Sequence, residues 1–81
     1  MRQRLLDVRD LEPPLPLVRT LAALHDLAAD EYLLMRHRRE PLPLYDMLPA
    51  MGFRHRSRQT RDGQFDVVIW RATAPEPADA P

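Results

Sequence analysis

Residues 6–19 read Leu-Asp-Val-Arg-Asp-Leu-Glu-Pro-Pro-Leu-Pro-Leu-Val-Arg. Their reading decides the fold. Leu6 and Val8 fall on one face of an extended segment and Leu5 and Asp7 on the other, so Arg4–Val8 is a strand. Arg9–Pro13 is a turn. Proline is tolerated in the first turn of a helix, where backbone amides have no intrahelical partner, so a helix starts near Pro14. Leu17, Val18, Leu21, Leu24, His25 and Ala28 then form its predicted apolar stripe. That helix stops around Ala28–Asp30.

The same pattern follows once more. Tyr32–His37 is a strand whose continuous Leu33, Leu34 and Met35 suit a central position with both faces covered. Pro41 opens a second helix with Leu44, Met47 and Leu48 inward. Pro49 should kink or end it and Gly52 should close it. Phe53–Arg61 alternates but carries little apolar content, as an edge strand does. Asp62-Gly63 signals a hairpin. Gln64–Ala72 returns as a central strand, with Phe65, Val67 and Ile69 alternating against Asp66, Val68 and Trp70. Thr73–Pro81 is rich in proline and alanine and reads as a disordered tail. The domain is therefore residues 1–72, followed by a tail at 73–81.

The predicted order is β-α-β-α-β-β. A strand–helix–strand unit demands a parallel pair, and the hairpin adds an antiparallel strand. The expected fold is α+β, a two-layer sandwich with a four-stranded mixed sheet and two helices on one face.

Composition excludes several function classes. The chain has 81 residues and no cysteine, which removes disulfides, thiolate metal sites and thiol chemistry. Its formal net charge is zero, so no global field draws in nucleic acid or anionic lipid. No apolar run approaches the roughly 18 residues that span a bilayer, and the N-terminus has no signal-peptide core. The expected location is cytoplasmic.

The first turn and the element order resemble the TusA/SirA-like family of small bacterial proteins. That family carries Cys-Pro-x-Pro at the start of its first helix, after a Leu-Asp strand. Here Leu6-Asp7 leads to Pro13-Pro14-Leu15-Pro16. Pro14 and Pro16 match the two prolines, and Pro13 stands where the family has cysteine. The chain is closer still to a cysteine-less, uncharacterised branch that shares Leu-Asp-Val-Arg, Pro-Pro-x-Pro-Leu and Glu-Pro-x-Pro-Leu-Tyr. In this chain those are Leu6–Arg9, Pro13–Leu17 and Glu40–Tyr45. The resemblance implies a sheet order of 1-2-4-3. It also implies sulfur relay for the family at large, but relay needs a thiolate that can hold a persulfide, and Pro13 cannot.

Candidate sites follow from the predicted topology. Two parallel strands end at one rim of the sheet, where ligands of open α/β sheets bind. That rim collects Arg9, Asp10 and Glu12 from the first turn and His37, Arg38, Arg39 and Glu40 from the second. Two prolines per helix start remove amide donors and weaken an anion site there. His25, His37 and His55 have no close ligand spacing, so neither a metal nor another cofactor is expected. Arg54, Arg56 and Arg58, with Arg61 nearby, form a basic strand face. No aromatic side chains interleave with them, which argues against RNA. Tyr32, Val68 and Trp70, with Leu34, should lie on the face away from the helices. They form an apolar patch suited to a homodimer or a protein partner, with arginine stems as its competing cover.

The expected function is a non-enzymatic binding or adaptor domain. The alternative is a small-anion or metal/redox sensor that uses the helix-start rim. If sulfur relay is absent, sulfane sulfur offered by a donor should not become covalently attached to the purified protein. Intact-mass measurement checks this, and a persulfide adduct would contradict it.

Overall fold

A computed structural model describes every residue from Met1 to Pro81. The elements are β1 (Arg2–Asp7), α1 (Leu15–His25), β2 (Glu31–His37), α2 (Leu42–Met47), a 3₁₀ turn at Pro49–Met51, β3 (Phe53–Gln59) and β4 (Phe65–Arg71). The sheet order is β1-β2-β4-β3. β1 runs parallel to β2, pairing Arg2 with Glu31 through Asp7 with Arg36. β4 lies antiparallel to both β2 and β3. The α+β fold, the mixed sheet and its strand order match the sequence-based expectation.

Both helices begin with proline because the cap and second helical positions need no intrahelical amide. Pro14 and Pro41 are the caps, and neither α1 nor α2 has a side-chain capping hydrogen bond. Pro49 ends α2, and Gly52 closes the following turn at φ 85°, a left-handed conformation that glycine adopts without a Cβ penalty.

Two layers of apolar packing enclose the central strands. Leu33, Met35, Val67 and Ile69 bury their side chains under Leu24, Leu27, Leu44 and Leu48. On the opposite face Tyr32, Leu34, Val68 and Trp70 form a second, smaller cluster. Arg71 closes one end of the helix-side layer: its guanidinium donates to the Leu27 carbonyl and lies 5.4 Å from the Phe53 ring centre. Asp66 is buried on the second face, between Arg36 at 3.3 Å and Arg58 at 3.5 Å, which supplies the counter-charge that burial requires.

Four local expectations need correction. β1 starts at Arg2 rather than Arg4 and ends at Asp7, because Arg2 pairs beside Glu31 and its guanidinium binds Asp30 at 2.8 Å and 3.0 Å. The buried stripe of α1 is Pro16, Thr20, Ala23 and Leu24. Val18 is 52% exposed. It lies two residues from Thr20, about 200° round the helix, and so faces solvent. Thr20 tolerates burial because its hydroxyl donates to the Pro16 carbonyl at 2.7 Å.

The hairpin loop is longer than Asp62-Gly63. Gln59 pairs with Phe65, and Thr60 and Gln64 close the loop between them at 2.7 Å. Finally, residues 73–81 carry no helix or strand but are not detached. Pro77 is buried, and Ala80 packs on the second cluster.

This placement distinguishes two α1 residues that the periodicity groups together. Leu24→Ala should cost about 2–5 kcal/mol, as deletions in packed cores do. Val18→Ala should stay within about 0.5 kcal/mol, as most exposed substitutions do. Urea unfolding of both variants checks this.

Candidate functional site

Parallel pairing puts the ends of β1 and β2 at one rim, and α1 and α2 start there. Each helix start carries the tetrapeptide Pro-Leu-Pro-Leu, at residues 14–17 and 41–44. In both copies the first proline is the cap and the second lies one residue inside the helix. The structure brings the two copies to opposite walls of a single cleft of about 380 Å³. Pro13, Pro14 and Pro16 form one wall, and Pro41 and Pro43 the other. Leu17, Met35 and Leu44 back it, and its polar lining residues are His37, Arg39 and Glu40. The remaining leucine of each tetrapeptide faces outward: Leu15 is 41% exposed and Leu42 58%.

The seven rim residues expected to act together are divided. His37, Arg39 and Glu40 line the cleft. Glu12 and Arg38 instead pair at 2.9 Å and bridge the two turns. Both are exposed enough that the pair contributes only about 0–1 kcal/mol. Arg9 turns away, with Nε to Asp7 Oδ1 at 2.9 Å, Nη2 to Asp7 Oδ2 at 2.6 Å and Nη1 to Gln64 Oε1 at 3.1 Å. Asp10 is exposed and lines no cavity. The Arg9 guanidinium holds the Asp7 carboxyl below its usual range.

His37 is held in one orientation. Its Nδ1 accepts the Arg39 backbone N–H at 3.0 Å. A neutral ring that accepts at Nδ1 carries its proton on Nε2 and can donate from there. Partial burial pushes its pKa down, and the charges of Arg38 and Arg39 add to that. Arg39 enters none of the six ion pairs of the chain, so its guanidinium is free to meet an anion. Glu40 is engaged instead, accepting from the Ser57 hydroxyl at 3.3 Å and the Tyr45 hydroxyl at 3.5 Å. The Tyr45 ring stacks on His55 with centroids 4.0 Å apart. The cleft can therefore hold an apolar body against proline rings while a cation and a neutral imidazole donor meet a negative group.

The other candidates fare differently. Nowhere do three His, Cys, Asp or Glu side chains converge to hold a metal ion. His25 is exposed at the end of α1. Tyr32, Val68 and Trp70 do share the face away from the helices, but Trp70 is only 4% exposed and the other two are also buried. They are not an open patch. The Arg56 guanidinium lies 5.9 Å from the Trp70 ring centre, and the tail lies beyond it. The proline walls were readable in advance only through the repeated tetrapeptide. Two identical segments at the same helix-start positions, after two parallel strands, must face each other across the rim.

A family model described as "Uncharacterized conserved protein (DUF2249)" matches residues 5–71. The chain belongs to this DUF2249 family. The matched stretch contains both tetrapeptides and all the cleft residues of this DUF2249 domain. No curated protein and no solved structure matches the chain. No helix of the DUF2249 domain is long and apolar enough to cross a membrane.

The histidine environments set a pH dependence. Burial lowers the pKa of both His37 and His55 from 6.5. In each case the unfolded chain binds the proton first, so it holds more protons over the window just below pH 6.5. Stability is then full above that value and falls as pH drops through the native pKa values. Ring-proton NMR should give both midpoints below 6.5. The urea midpoint should fall between pH 7 and pH 5.5, and less so in a His37→Gln/His55→Gln variant.

Proposed function

We propose that this DUF2249 domain is a non-enzymatic binding or adaptor domain whose ligand seat is the proline-walled cleft. The observation that carries this reading is the pairing of apolar walls with a free Arg39 guanidinium and the neutral His37 ring. An apolar concavity with a few convergent polar groups is the usual form of a small-ligand site. The favoured occupant is a group with a compact apolar body and a carboxylate, either a free small molecule or a side chain of a partner protein. Exposed Leu15 and Leu42 at the helix starts offer further apolar contact to a partner. No nucleophile lines the cleft, and its one carboxylate, Glu40, is engaged by the Ser57 and Tyr45 hydroxyls, which supports binding rather than turnover.

We further propose descent from a TusA/SirA-like ancestor. The strand order 1-2-4-3 supports it, as does Pro13 lining the cleft where those proteins carry cysteine. On this reading the seat persists and the thiol chemistry is gone. The metal version of a sensor has no donor set to support it.

Benzoate is the probe. Titrated to millimolar concentration, it should shift the amide resonances of Leu17, His37 and Arg39 saturably. Arg39→Ala should weaken binding about fivefold or more, the effect of losing one charge-assisted hydrogen bond. Inorganic phosphate, which lacks an apolar body, should bind more weakly. Unmoved cleft resonances at millimolar benzoate would overturn the assignment.

A further inference from the structure

The face of the sheet opposite the helices is covered in an unusual way. Register places Arg54 beside Trp70, Arg56 beside Val68, and Leu34 on the other side of Val68. Arg56 lies over the Trp70 ring at 5.9 Å. A guanidinium over an aromatic ring keeps its in-plane N–H donors available to other partners. Here they go to the tail: Nη2 donates to the Pro77 carbonyl at 2.7 Å and the Ala80 carbonyl at 2.9 Å. Nε donates to the Pro81 carbonyl at 3.4 Å, and Nη1 pairs with Glu76. Trp70, Arg56 and the tail thus form a three-layer stack.

Little in that stack is specific to this tail. Three of the four acceptors are main-chain carbonyls, which any extended peptide supplies. The fourth is one carboxylate. Of the tail side chains, Ala80 packs against the apolar cluster and Pro77 is buried. The tail forms no strand and joins no sheet edge. Beside it a groove of about 540 Å³ stays open, lined in part by Phe53, Arg54, Trp70 and Glu76. Arg54 enters none of the ion pairs of the chain. Arg56 and Trp70 lie inside the stretch matched by the family model, whereas the tail lies outside it.

We infer that the Arg56–Trp70 face is a docking groove for an extended, carboxylate-bearing peptide segment of a partner protein, and that residues 76–81 occupy it in cis. The partner segment displaces the tail by offering Arg56 the same carbonyls and carboxylate. Arg54, unpaired beside the groove, favours a segment more acidic than the tail. This groove is separate from the proline-walled cleft, and its test does not depend on that cleft.

Trp70 is the only tryptophan, so its fluorescence reports the groove directly. In the full-length Glu76→Arg variant, acrylamide quenching of Trp70 should rise severalfold as the tail is repelled from Arg56. Wild-type protein should respond in the same direction when salt is raised to about 1 M, where screening extends only about 3 Å. That salt response remains decisive if the variant does not fold, as judged by circular dichroism. A synthetic peptide with the sequence of residues 73–81, added to the variant at millimolar concentration, should restore protection. The same peptide with glutamate replacing its alanines should protect at lower concentration. Quenching unchanged by salt and by substitution overturns the strap. An opened variant that no peptide protects overturns the docking groove. An opened variant that sediments as a dimer assigns the face to a second copy and overturns the partner reading.

Discussion

Arg2 pairs with Glu31 and Asp7 with Arg36 in the same direction, so the two strands that precede a helix finish at the same end of the sheet. Parallel pairing is what makes the cleft. An antiparallel β1 would send its helix to the far end and separate the two proline-rich starts. The core holds that pairing in place: Leu33 and Met35 of β2 pack beneath both helices, while Leu34 of the same strand packs on the other side. A strand buried on both faces cannot slip by one residue without exchanging its two apolar sets, which fixes register at the rim.

At one end of the sheet, its two faces solve the problem of buried charge differently. Asp66 lies within the sheet face and shares two arginines, Arg36 and Arg58. At the cleft, His37 gives up its charge: burial and two neighbouring arginines favour the neutral ring, and the Arg39 amide fixes its tautomer. The first arrangement keeps a permanent ion group that is satisfied internally. The second leaves a donor and a free guanidinium beside it.

Much of the architecture was legible because strand alternation and proline placement are local signals. The element order, the parallel first pair and the terminating role of Pro49 and Gly52 follow from them. The face of α1 was legible only in part: Leu17, Leu21 and Leu24 pack on the core as expected. Val18 and His25 fit an apolar spacing, but Thr20 supplies its own backbone acceptor and can be buried in their stead. Of the rim residues only His37, Arg39 and Glu40 line the cleft, whereas Arg9 prefers Asp7 and Gln64, a choice made by turn geometry that spacing does not encode. The tail was the hardest to read. Its proline and alanine content carries no sign of order, because what fixes it is mostly its carbonyl oxygens and their fit to a distant arginine.

The proline walls have a thermodynamic consequence. A ring-closed backbone has few conformations to lose, and five such residues surround the cleft. An occupant would find walls that are already rigid and that cannot fold inward to fill the space when it departs. Little of its contact energy would be consumed in ordering the protein, so even a small molecule with few atoms could be held with useful affinity. The same rigidity denies the walls any ability to reshape, which restricts the site to guests whose outline already suits it.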